Sequence, residues 1–265
     1  MVIYPLILIV IFTVSAIPSN ATDWQLVWSD EFEKPGLPDA KKWNYETGFV
    51  RNNEKQYYTK ARAENARVEN GSLVIESRKE KYKNAEYTSA SLHTANTATW
   101  TYGKIEVRAK LPTGKGMWPA IWMLGVNMRE VGWPKCGEID IMENVGYDPD
   151  IIHANIHTGK YNHVNKTGKG SKTTIKKPFQ DFHIYKVEWF PGKMDFFVDD
   201  QKYFSYTNDG EGTPSWPFDK NHYLILNAAI GGSWGGQKGI DDSIFPQKYY
   251  IDYVRVYQQT TKVKN

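Results

Sequence analysis

The chain has 265 residues, of which 33 are basic and 30 acidic, for a formal charge of +3. The charges are interspersed and form no basic stripe for nucleic acid, and the lone cysteine, Cys136, rules out an intrachain disulfide framework, leaving stability to a buried core. Ten Trp and 17 Tyr exceed what a core of this size needs, and exposed rings stack on the apolar faces of sugars.

In chain order, the first feature is an apolar run from Leu6 to Phe12, continuing to Ala16. It has the length of a signal-peptide core and is too short to span a bilayer. It closes on Pro18 and Ser19-Asn20-Ala21, so cleavage is expected after Ala21, with a signal peptide over residues 1–21, a secreted product and no lasting membrane anchor. No Lys or Arg precedes the run, and an uncleaved anchor or a buried strand is the competing reading. Residues 22–265 carry no linker, repeat or charge block, so a single domain, expected to be monomeric, is the economical choice.

Short alternating segments follow: Leu73–Ser77, Lys104–Lys110, Lys186–Trp189, Met194–Val198 and Tyr250–Tyr257. Their period of two predicts strands. Turn pairs such as Asn70-Gly71, Pro191-Gly192 and Asp199-Asp200 leave little room for amphipathic helices. The expected fold is all-β, a two-sheet antiparallel β-sandwich in which a curved sheet could present a concave outer groove to a polymer.

The densest chemistry lies in Glu138-Ile-Asp-Ile-Met-Glu143, two residues after Cys136, whose thiol is read as a buried spectator. Glu138 and Asp140 share a face by alternation, while Ile139 and Ile141 point into the core. Strict alternation would bury Glu143, a costly placement for a charge, so a one-residue β-bulge near Ile141-Met142 is expected to return it outward. The Cα atoms of Glu138 and Glu143 would then lie about 13 Å apart, and inward-leaning side chains could close their carboxyls to the spacing of about 5 Å that a retaining glycosidase uses. Glu138 would serve as nucleophile, Glu143 as acid and base, and Asp140 as the charge that keeps a proton on its neighbour. The same residues also read as a solvated acidic strand face or a calcium site.

These residues, preceded by Gly114-Lys-Gly-Met-Trp-Pro-Ala-Ile-Trp-Met-Leu124, resemble glycoside hydrolase family 16 in its bacterial laminarinase-like branch. The resemblance also takes in Trp28-Ser-Asp-Glu-Phe32, Asn52-Asn-Glu-Lys-Gln-Tyr57, His153-Ala-Asn-Ile-His157, Gly231-Gly-Ser-Trp-Gly-Gly236 and Ile251-Asp-Tyr-Val-Arg-Val-Tyr257. It implies a jelly roll with Glu138 as nucleophile, Asp140 as its assistant and Glu143 as acid/base. The residue Met142, absent from the dedicated lichenases of the family, implies β-1,3 cleavage in laminarin-type and mixed-linkage glucans. Trp118, Trp122 and Trp234 are implied as stacking walls, Asn53 and Glu54 as contacts to sugar hydroxyls, and His157 as a supporting residue beside Glu143. His157 is not expected to bind metal, since no second ligand has the right spacing. Many laminarinases carry a sugar-contacting arginine where this chain has Ser91. No cofactor is required for catalysis; a structural Ca²⁺ is implied near Glu33, Gly71 and Asp252. The alternatives are a hydrolase of another polysaccharide such as a marine galactan, a transglycosylase, and a non-catalytic β-glucan-binding protein, against which the presence of both glutamates argues.

Overall fold

The computed structural model describes residues 23–260; the expected signal peptide lies outside them. Among these residues, seventeen strands account for nearly all the regular structure. In chain order they are β1 (Trp24–Asp30), β2 (Asn44–Tyr45), β3 (Gln56–Tyr58), β4 (Ala66–Glu69), β5 (Ser72–Tyr82) and β6 (Ala85–Ser89). Next come β7 (Ser91–His93), β8 (Gly103–Lys110), β9 (Met117–Gly125), β10 (Glu138–Glu143), β11 (Ile151–His157) and β12 (Lys169–Thr174). The last are β13 (His183–Phe190), β14 (Lys193–Val198), β15 (Gln201–Thr207), β16 (His222–Ile230) and β17 (Gln247–Gln259). Among the described residues, helix is confined to single turns at Met128–Val131 and Asp242–Ile244.

Two sheets face each other, as the alternation predicts. A seven-stranded sheet runs β12-β11-β10-β9-β16-β7-β2, and a ten-stranded sheet runs β15-β14-β13-β8-β17-β5-β6-β3, with β1 added to β17 and β4 to β5. Each predicted segment falls inside a strand. The Asn70-Gly71 turn joins β4 to β5 with φ of 51° and 73°, a pair of positive values that Asn-Gly accommodates readily. One pairing departs from the antiparallel expectation: β3 runs parallel to β6, Gln56 opposite Tyr87. Side-chain alternation does not encode strand direction, so the sequence held no sign of it.

The main core lies between the sheets. From the ten-stranded sheet it takes Ile105, Val107 and Ala109 of β8 and Tyr185, Val187 and Trp189 of β13; from the other, Ile139, Ile141 and Met142 of β10 and Ile152, Ala154 and Ile156 of β11. Strand β9 is buried along its whole length. Its Met117, Ile121 and Met123 enter the core, whereas Trp118, Ala120, Trp122 and Leu124 form apolar clusters on the opposite face. That second apolar layer is the floor of a cleft.

Candidate active site

The cleft has a volume of about 850 Å³ and crosses the outer face of the seven-stranded sheet from His153, Asn155 and His157 on β11 to Asn227 on β16. Loop residues Arg51, Asn52, Ser233 and Trp234 wall it. The acids enter from β10, whose lead-in residue Gly137 has φ of 85°. A Cβ there would stand 2.9 Å from His222 Nε2, so the close approach admits only glycine.

Along β10 the expected bulge is present. Against β9, Asp140 faces Trp122 and Met142 faces Ile121, leaving Ile141 as the extra residue. The register with β11 shifts between Asp140 and Glu143 in the same way. Ile139, Ile141 and Met142 are fully buried, and Glu138, Asp140 and Glu143 all line the cleft. The driving force is the one argued from sequence: two apolar residues in succession go inward so that the second glutamate does not.

Each carboxylate has its own partners. Trp133 Nε1 donates to Glu138 Oε2 at 3.0 Å. Glu143 accepts on both oxygens, from Trp118 Nε1 at 3.0 Å and from Asn155 Nδ2 at 3.0 Å. His157 does not sit beside Glu143 as the resemblance implied. Antiparallel pairing sets His157 opposite Glu138, Asn155 opposite Asp140 and His153 opposite Glu143, and His157 Nε2 lies 3.4 Å from Asp140 Oδ2 and 3.6 Å from Glu138 Oε1. Asn155 and Trp133 were missed from sequence. Asn155 could have been found, because alternation along His153-Ala-Asn-Ile-His157 puts all three polar residues on one face; Trp133 lies in a loop, where no periodicity points to it.

Burial governs the protonation of the cluster. It pushes Glu138 up to about 8, helped by the charge of Asp140 and opposed by His157 and the Trp133 hydrogen bond. Burial also raises Asp140, with repulsion from Glu143 behind it, and raises Glu143 against the hydrogen bonds of Trp118 and Asn155. Three carboxyls in one desolvated cleft cannot all be ionised at modest cost, so protons are retained among them.

The other expected contacts divide. Trp118 and Trp234 meet edge to face at 5.6 Å, with His153 at 5.0 Å from Trp234. Trp122 lines the cleft, but the Arg51 guanidinium lies 4.8 Å above its ring, covering a face expected to stack on sugar, and its Nε1 donates to Asn227 Oδ1 at 2.8 Å. Arg51 is ion-paired with Glu46, whose other oxygen accepts from Ser91 Oγ at 2.6 Å. An arginine thus enters the cleft from residue 51 rather than from the Ser91 position. Asn53 is exposed and does not line the cleft; its neighbour Asn52 does. Glu54 lines the cleft from a buried position, accepting from Gln56 at 2.7 Å and Tyr58 at 3.1 Å, and so braces the loop.

The three residues implied for calcium lie elsewhere. Glu33 borders a second, smaller cleft with Asp30 and Lys42, Gly71 sits in the β4–β5 turn, and the Asp252 carboxylate on β17 is ion-paired to Arg108 at 2.6 Å.

Residues 53–255 match the sequence model of the glycosyl hydrolases of family 16. The chain is 49% identical over 248 residues to a beta-glucanase of Rhodothermus marinus, covering 90% of this chain and 87% of that one. Its fold superposes on the laminarinase from Rhodothermus marinus with a TM-score of 0.88 at 48% identity, over 91% of this chain and 100% of the other. It superposes on SCLam, a non-specific endo-beta-1,3(4)-glucanase, with a TM-score of 0.86 at 53% identity, over 93% and 94% of the two chains.

Proposed function

The chain belongs to the glycosyl hydrolases of family 16, and on that premise we propose that it is a retaining endo-β-glucanase acting on β-1,3-glucan of the laminarin type and on mixed-linkage glucan. The observation that carries the reading is the single row of Glu138, Asp140 and Glu143 along the floor of an open cleft, aligned by the bulge at Ile141. A cleft that crosses the sheet face from β11 to β16 suits an internal stretch of polymer, and so endo-cleavage.

In the proposed mechanism Glu138 is the nucleophile. Its carboxylate attacks the anomeric carbon while Glu143 gives its proton to the departing glycosidic oxygen, and a covalent glycosyl-enzyme forms. Glu143, now ionised, takes a proton from water, which attacks the same carbon and releases Glu138. The first step needs one glutamate ionised and the other protonated. Burial favours retained protons at both glutamates, against His157 and the Trp133 hydrogen bond at Glu138 and against Trp118, His157 and Asn155 at Glu143, so the row holds a proton to give and the roles follow the order of the family motif. Asp140, between them, repels any second negative charge. Trp118 and Trp234, which meet at the Glu143 end of the row, offer ring surface to a glucosyl unit there. No step requires a metal or cofactor. We further propose export, on the strength of the apolar run from Leu6 and the Ser19-Asn20-Ala21 that closes it, and a structural Ca²⁺ near Glu33, Gly71 and Asp252 that would act away from the cleft.

Product analysis on laminarin, barley mixed-linkage glucan and agarose tests it, with Glu138→Ser as the control. Short β-1,3-linked oligosaccharides from laminarin that vanish in the variant are the expected result; cleavage of agarose alone would move the substrate to a galactan, and the absence of cleavage would leave a binding protein. Glu143→Gln should lower the rate on laminarin by about 10²–10⁴-fold while oligosaccharide binding persists.

A further inference from the structure

Among the described residues, one group of His, Cys, Asp and Glu side chains brings its ligand atoms together: Glu138, Asp140 and His157, with all of these atoms within 4.8 Å of one another. The spacing has metal-like detail. His157 Nε2 is 3.4 Å from Asp140 Oδ2 and 3.6 Å from Glu138 Oε1, and a tetrahedral ion with bonds of about 2.0–2.2 Å holds its ligand atoms about 3.3–3.6 Å apart. A second observation is independent of that spacing. Asp140 is 3% exposed, and its Oδ2, aimed into this group, accepts no hydrogen bond among the described residues. A buried carboxylate oxygen without a donor is a costly arrangement that a cation would relieve.

We propose that Glu138, Asp140 and His157 form an inhibitory site for a borderline divalent transition ion of the zinc class. One imidazole nitrogen and two carboxylate oxygens make a three-ligand set of the kind that leaves zinc an open fourth position, here facing the cleft. Calcium and magnesium are poor occupants, since they require six or more oxygen ligands or a largely retained water shell. The inference rests on the assignment of Glu138 as nucleophile: an ion bound there occupies the oxygen lone pair that attacks the sugar, so metal and substrate exclude each other. The site also lacks the usual outer support, because His157 Nδ1 is buried with no hydrogen-bond partner among the described residues. Binding should therefore be reversible by chelators rather than structural.

No spacing along the chain announces this arrangement, and the expectation that His157 finds no second ligand is reversed by the fold. The ligands come from two strands, and only the pairing of Glu138 with His157 brings them together.

The test is titration of the metal-free protein with ZnCl₂, read by calorimetry and by the rate of laminarin cleavage, with CaCl₂ and MgCl₂ in parallel. One zinc per chain, inhibition that laminarin relieves competitively and that EDTA reverses, and no effect of calcium or magnesium are the expected results. His157→Gln should weaken zinc binding and inhibition by about 100-fold or more; if circular dichroism shows that variant unfolded, Asp140→Asn takes its place with the same expectation for zinc binding. Equal zinc affinity in wild type and variant, or zinc uptake that leaves cleavage unaffected, would overturn the proposal. A wild-type protein that does not cut laminarin defeats the glucanase reading instead, and the calorimetric comparison still decides the metal site.

Discussion

At the residue scale, the buried acids trade stability for chemistry. Glu138 titrates near 8 when folded and near 4.5 when unfolded, so the native state binds the extra proton and loses stability as pH rises from about 4.5 towards 8. Glu138→Gln removes that loss. It should leave thermal stability unchanged at pH 4 and raise it at pH 8 by on the order of 2 kcal/mol, or about 5 °C in Tm, as calorimetry at the two pH values would show. Asp140→Asn takes a negative charge away from the pair of glutamates, so the acid gives up its proton more easily. The alkaline limb of the kcat/KM profile should then move to lower pH. The three acids were legible from spacing and from the cost of burying Glu143. The partner of His157 was not, because which residue of β11 faces which residue of β10 depends on a pairing register that neither strand encodes alone. Asn53 was misplaced, and the cover on Trp122 missed, for a similar reason: the loop conformation that turns Asn52 rather than Asn53 to the cleft, and lays Arg51 over the indole, is set by tertiary contacts.

At the element scale, the bulge decides which way the second glutamate is aimed. Deleting Met142 leaves Glu-Ile-Asp-Ile-Glu, in which plain alternation keeps all three acids outward across the same four pleat steps but removes the local kink that sets the direction of the second glutamate. The deletion should cut laminarin hydrolysis by about 10²-fold, the scale of a misplacement of roughly 1 Å, and raise the ratio of mixed-linkage to laminarin activity in parallel assays. Strand β12 offers a second test. A Cβ on Gly170 would lie 2.1 Å from Asn155 Oδ1, so this glycine gives Asn155 the room to reach Glu143. Gly170→Ala should displace that amide and lower kcat/KM on laminarin by about tenfold or more, and a variant with unchanged activity would show that Asn155 is dispensable. Strands and turns of this kind were readable in advance because alternation and Asn-Gly chemistry are local; the parallel β3–β6 pair was not, since it joins segments about 30 residues apart.

At the scale of the whole molecule, cohesion comes from the packing between the two sheets and not from covalent links. The one thiol, Cys136, is buried and pushed up to about 11, mainly by burial. Reductant should leave Tm unchanged, and iodoacetamide should label Cys136 only in denaturant; rapid labelling of the native protein would show that the cluster beneath Trp122 opens readily. The ten-stranded sheet has a further property. Its pairing of β1 with β17 sets Trp24 directly opposite Gln259, on the layer behind the one that carries the cleft. Tethers or accessory modules spliced onto both of these positions would therefore leave side by side from the sheet that does not carry the cleft, so a single mounting point could hold both.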